Sequence, residues 1–153
     1  MDYSHDDAGL ARQPIGYWSW AAHEATVTHI RAALAEHGLT QPPWWVINQL
    51  VGTEEDGRDR AEVVAFLSGY LDIGADGIEA AVDELLDRAL ITQDGGARLR
   101  ITPDGRALRD RAFTRVMRAR EEIHEGVTDE EFVAALKVLQ RMIHNVGGKA
   151  WHE

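Results

Sequence analysis

Tyr17, Trp18, Trp20 and His23 stand close together near the start of the chain, and Trp44 and Trp45 follow. Aromatic walls with a few polar groups are how proteins hold planar small molecules. Tyr17, Trp20, His23, Trp44 and Trp45 are therefore the candidate ligand-binding residues. His23 shares a helical stripe with Trp20 and is placed to orient a ligand or act as a base. Neighbouring helical residues cannot both face one core, so either Trp44 or Trp45 is expected to turn towards a pocket or a partner subunit. The plainer use of the same residues is a tryptophan-rich core and subunit interface.

Other chemistries find less support. His23, His29, His124, His144 and His152 include no pair at the i, i+4 spacing of a helical metal site, and there is no cysteine to assist. No metal is expected, and these histidines read as surface or interface residues. The chain has no local signature of a Ser-His-Asp nucleophile and no glycine-rich phosphate loop. No catalytic residue and no cofactor are assigned, and an enzyme is the less favoured class. The arginines between Arg106 and Arg120 alternate with Asp110, Glu121 and Glu122, which suits a solvated, salt-bridged face.

The chain has 153 residues, 44% of them hydrophobic, enough for one domain with a true core. Its formal net charge is -10, which opposes non-specific contact with DNA or anionic membranes. No apolar run reaches membrane-spanning length, and the acidic start MDYSHDDAGLARQ is unlike a signal peptide. The expected compartment is the cytoplasm, with no membrane partner.

The elements that must position these residues are mostly helical. Residues 1–13 read as a flexible arm, and 14–153 as one domain. A long helix is expected from Ile15 to Glu36, ended by His37-Gly38. Thr40, Pro42 and Pro43 open a second helix, and Asp59 with Glu62 suggests a capping box for a third that carries Val63, Phe66, Leu67 and Tyr70. Ile78, Ala81, Val82, Leu85, Leu86 and Ala89 recur at helical spacing in a fourth. LITQDGGARLRI then reads as a hairpin turning at Asp94-Gly95-Gly96. Thr102-Pro103 opens a long helix, and Thr128 with Glu131 caps a last one rich in Phe132, Leu136, Leu139, Met142 and Ile143. Gly147-Gly148 ends it, and a tail with Trp151 and His152 follows.

Long helix, three shorter helices, hairpin, long helix, closing helix: this order resembles the MarR family of winged helix-turn-helix regulators over about residues 14–146. Its most specific pieces are ITPDGRAL, opening the fifth helix, and the closing VTDEEFVAALKVLQRMI. The fold class implied is mainly α with a small β-hairpin wing, a MarR-like dimer. The resemblance implies a homodimer built on helices at about 14–37 and 103–146, with a winged-helix lobe at about 40–102. It makes Ala75 to Arg88 the recognition helix and Thr92 to Arg100 the wing. It also implies a double-stranded DNA operator and a small aromatic ligand held between the lobes. A two-fold dimer presents two reading helices about one turn of DNA apart, and a ligand between the lobes alters that separation.

The candidate DNA-binding residues are then Arg58, Arg60, Gly77, Ala80, Arg98 and Arg100. The recognition helix departs from the usual pattern, because its outward positions include Asp76, Glu79, Asp83, Glu84 and Asp87. Residues 58–101 hold five arginines against nine carboxylates, and carboxylates facing phosphate cost affinity. The wing is short, and Arg98 and Arg100 alternate with Ala97, Leu99 and Ile101, so both are expected on one outward side. The alternative reading is a MarR-fold protein that has lost DNA binding and binds or transforms a small molecule in a Trp-lined cavity.

Overall fold

A computed structural model describes residues 2–149 apart from Glu54, Tyr70 and Asp72. Tyr70, Trp151 and His152, named above, lie outside the described residues. The helices are α1 (Asp7–Leu10), α2 (Ile15–Ala35), α3 (Gln41–Gln49), α4 (Arg60–Ser68), α5 (Gly74–Asp87), α6 (Pro103–Ile123) and α7 (Asp129–Asn145). Three short strands, β1 (Arg58–Asp59), β2 (Ile91–Gln93) and β3 (Arg98–Ile101), form one antiparallel sheet in the order β1-β3-β2. The architecture is mainly α with a small wing, as the patterning predicts. Within the N-terminal arm, the Asp6 side chain accepts from Gly9 N–H and caps the single turn of α1.

The core lies where α2–α5, the sheet and α6 converge. Leu34, Ile47, Leu67, Ile78, Leu85 and Leu99 are fully buried there. Two expected apolar stripes supply it: α5 buries Ile78, Ala81, Val82 and Leu85, and α6 buries Leu108, Ala112, Val116 and Ala119. Two helical regions do not join. No residue of α7 is buried, and the first turns of α2 leave Ile15, Tyr17, Trp18 and Trp20 exposed. α7 is nonetheless strongly patterned, with Phe132, Leu136, Leu139 and Ile143 at helical spacing.

Local chemistry sets the boundaries. Thr128 and Glu131 complete the expected capping box: Thr128 Oγ1 accepts from Glu131 N–H at 3.2 Å and the Glu131 carboxylate from Thr128 N–H at 2.8 Å. Asp59 accepts from Glu62 N–H at 3.1 Å and caps α4. Thr40 precedes α3 but makes no side-chain cap bond. Three helices close with the same paired carbonyl bonds and a left-handed residue. After α2 and α7 that residue is glycine, Gly38 at φ 64 and Gly147 at φ 75. After α5 it is Ala89 at φ 52, with Leu90 N–H on Leu85 O and Ala89 N–H on Leu86 O, each 2.9 Å.

The sheet holds a strand that the sequence reading does not predict. β1 is two residues long and pairs Arg58 with Leu99 and Asp59 with Arg98. The β2–β3 hairpin is in the expected place, with Thr92 opposite Arg100. Where β3 turns into α6, Thr102 Oγ1 accepts from Gly105 N–H at 3.0 Å and lies 2.9 and 3.0 Å from the carbonyl oxygens of Ala89 and Leu90. A Cβ on Gly105 would lie 1.9 Å from Leu90 O, so the first turn of α6 seats directly on the end of α5.

Candidate nucleic-acid interface and ligand cavity

α4, its turn and α5 form the helix-turn-helix, and β2–β3 the wing beside it. On α5, Ala75, Asp76, Ala80, Asp83 and Asp87 are exposed, while Gly77, Glu79 and Glu84 are half-buried. Asp76, in the first turn, faces the positive end of the helix dipole and has a structural use there. Three of the carboxylates are ion-paired. Arg60, at the start of α4, donates Nε to Glu79 at 2.6 Å, Nη2 to Asp83 at 2.7 Å and Nη1 to Gln93 of β2 at 3.1 Å. Burial works against its charge, but the hydrogen bonds it donates to Asp83 and Glu79 outweigh that and hold its pKa above the ordinary arginine value. Arg88 pairs with Glu84 at 2.8 Å and donates to Gly38 O at 2.9 Å.

The other expected DNA-facing arginines are also engaged within the lobe. Arg58 donates to Gln49 and lies over the Phe66 ring, 5.9 Å from its centroid. Arg100 pairs with Asp94 at 2.7 Å and reaches the carbonyls of Glu55 at 3.4 Å and Asp56 at 3.3 Å. Arg98 donates to Gly57 O at 3.2 Å and stays exposed. Arg98 is thus the most available cation on the wing, and Arg100 folds back rather than standing outward beside it.

Asp94 organises the wing tip. Its carboxylate takes the Arg100 side chain, Arg98 N–H at 3.0 Å and Gly96 N–H at 2.9 Å. The Arg100 hydrogen bond leads in holding its pKa at about 2, down from 3.8. A depressed carboxyl pKa contributes stability that is present above the unfolded value and lost as pH falls through the folded one. The turn is therefore expected to hold above about pH 4 and to loosen towards pH 2. Carboxyl-carbon NMR should give Asp94 a midpoint near 2, moving up in Arg100→Ala. An ordinary midpoint in the wild type would show that the clip does not exist in solution.

A cavity of about 640 Å³ lies between α2, the start of α3, Leu71 and Ile73. His23, Val27 and Arg31 line it from α2, one helical turn apart, with Leu39, Thr40, Gln41 and Pro42 opposite and Leu71 and Ile73 closing one side. Arg31 donates Nε to Gln41 Oε1 at 3.1 Å. The walls are mainly apolar, with one guanidinium and several hydrogen-bonding groups, suiting a planar apolar body that carries an anionic group. Of the five expected ligand residues, His23 lies on this lining. Tyr17 and Trp20 sit further up α2, 6.2 Å apart between ring centroids and exposed. Trp44 packs against the core and Trp45 is 37% exposed, so the adjacent tryptophans do diverge. Trp18 lines a second cavity with Tyr3, Leu10 and Ile15. The sequence reading missed Arg31, Thr40 and Gln41. The i, i+4 spacing from His23 to Val27 to Arg31 was the available signal for Arg31.

His29 contacts Glu122 at 2.6 Å and links α2 to α6. That hydrogen bond leads the causes that lower the Glu122 pKa, with Arg115 and Arg118 adding to it. His124 tilts onto Phe132, 4.6 Å between centroids. Among the described residues no cluster of His, Asp or Glu could hold a metal ion, and no helix is long and apolar enough to cross a membrane.

No family model and no curated protein matches the sequence. Solved structures do match its fold. A MarR family transcriptional regulator from Rhodococcus sp. RHA1 is 26% identical, with a TM-score of 0.67 over 84% of this chain and 92% of that one. CouR from Rhodococcus jostii RHA1, bound to p-coumaroyl-CoA, is also 26% identical at TM-score 0.67, over 85% and 91%. A Mycobacterium tuberculosis MarR family protein in complex with DNA is 22% identical at TM-score 0.64, over 89% and 99%. The order of helices, the helix-turn-helix and the three-stranded wing define a winged-helix protein. Its architecture is that of the MarR family transcriptional regulators.

Proposed function

We propose that this chain is a homodimeric MarR-type transcriptional regulator whose binding to double-stranded DNA is modulated by a small aromatic ligand. The observation that carries the reading is the position of the cavity. It opens against Ile73, which precedes the first residue of α5. An occupant that displaces Ile73 tilts the recognition helix and changes its fit to DNA. Support comes from the MarR family protein solved with DNA, the same protein solved with salicylic acid, and CouR with p-coumaroyl-CoA.

The dimer is proposed through α2, α6 and α7. An amphipathic helix with no buried residue has its apolar stripe to cover, and the exposed Tyr17, Trp18 and Trp20 extend the same demand along α2. Protein–DNA contacts are proposed from α5 at Gly77 and Ala80 and from the wing at Arg98, with Arg58 and Arg100 supporting the wing. His23 and Arg31 hold the ligand. The site of action is the cytoplasm.

Gel shifts on DNA upstream of the chain's own gene test the regulator. Binding is expected to weaken steeply with salt, and Arg98→Ala should flatten that dependence. Salicylate should release the DNA and quench tryptophan fluorescence, with both effects reduced in Arg31→Ala. Absence of a shift at low salt on every upstream fragment would refute the regulator. Retention of the salicylate response in Arg31→Ala with His23→Ala would remove the cavity from it.

A further inference from the structure

An acidic recognition helix approaching DNA is an electrostatic problem, and Arg60 sits where it can be solved. Its backbone N–H bonds Ala97 O of the wing turn at 3.1 Å. Its side chain, 21% exposed, enters the space between α4 and α5. All three guanidinium nitrogens are used, on Glu79, Asp83 and Gln93. Glu79 and Asp83 are one helical turn apart on α5, so one planar cation bridges both, a geometry that lysine cannot reproduce. With a bond from each of its three nitrogens, the guanidinium is committed to partners inside the lobe.

We propose that Arg60 is a positioning residue for DNA reading: it neutralises Glu79 and Asp83 from within the lobe and fixes α5 to the wing, so that an acidic helix can enter the major groove. The proposal rests on the regulator reading above. It assigns Arg60 a role through two carboxylates, where its charge and place alone suggest a phosphate contact. Without Arg60, both carboxylates face the DNA backbone uncompensated, and like charges brought together at an interface are strongly unfavourable.

The test uses a duplex enriched by the wild-type protein from a random-sequence pool, with affinity read by fluorescence anisotropy across a salt series. Arg60→Gln should weaken binding by on the order of tenfold. Adding Glu79→Gln and Asp83→Asn to it should recover most of that loss, because the repulsion has gone with the cation. The salt slope of the triple variant should match the wild type, since no phosphate contact has been removed. Arg60→Lys keeps the charge and should bind better than Arg60→Gln, a comparison made alongside thermal melts so that any unfolding of Arg60→Gln is visible. A triple variant that binds as weakly as Arg60→Gln, with a slope smaller by about one, makes Arg60 a phosphate contact and overturns the proposal. Wild-type affinity in a folded Arg60→Gln overturns it too, and leaves the regulator reading standing. Failure of the wild type to enrich any duplex overturns both.

Discussion

Gly105→Ala is expected to destabilise the protein by about 3 kcal/mol or more, roughly 10 °C in melting temperature for a chain of this size. The added methyl would lie 1.9 Å from the Leu90 carbonyl oxygen and 2.9 Å from its carbon. Both are backbone atoms at the end of the α5 closure, where Thr102 Oγ1 also approaches Leu90 O. Neither partner can yield without moving α6 away from the hairpin, and α6 carries Leu108 and Ala112 into the core. Gly16 is the control. It also lies in a helix, but nothing stands within 4 Å of its missing Cβ, so Gly16→Ala should be neutral or stabilise by about 0.5–1 kcal/mol. Equal melting temperatures for the two variants would show that the contact between α6 and Leu90 is looser than described.

The second large effect concerns assembly. Leu136→Glu with Ile143→Glu places two charges on the apolar stripe of α7, two turns apart. Neither residue is fully buried within the protomer, so the fold of a single chain should tolerate the change. Light scattering is expected to give the mass of one chain instead of two. DNA affinity should fall by about a hundredfold or more, because a second half-site bound by a linked subunit adds that much avidity. Unchanged mass would place the interface on another surface. Loss of helical signal together with mass would show that α7 supports the protomer itself.

Most of the fold was legible because its determinants are local. Thr102-Pro103, the Thr128–Glu131 box, Gly38 and Gly147 act within a few residues of where they stand, and α5 declares itself by spacing alone. β1 was not legible, since two residues in a polar loop carry no period and exist as a strand only through Leu99 and Arg98. The candidate site was less accessible. Aromatic residues drew attention to Tyr17 and Trp20, whereas the cavity follows the His23–Val27–Arg31 edge of α2 and closes with Leu71 and Ile73. The pairing of Arg60 with Glu79 and Asp83 joins two helices and hides from any reading that sums charges along the chain. That sum makes the lobe look uniformly repulsive, while the folded arrangement cancels part of it.

Ala89 stands where α2 and α7 use glycine, and Ala97, at φ 59, holds a second left-handed position in the wing turn. A methyl group at such a position costs on the order of 1 kcal/mol. The chain therefore sits below the stability its own architecture permits, with the slack concentrated at both ends of the hairpin that abuts the reading helix. Glycine at Ala89 or Ala97 would remove that cost and hold the wing more firmly against the reading helix without touching the core.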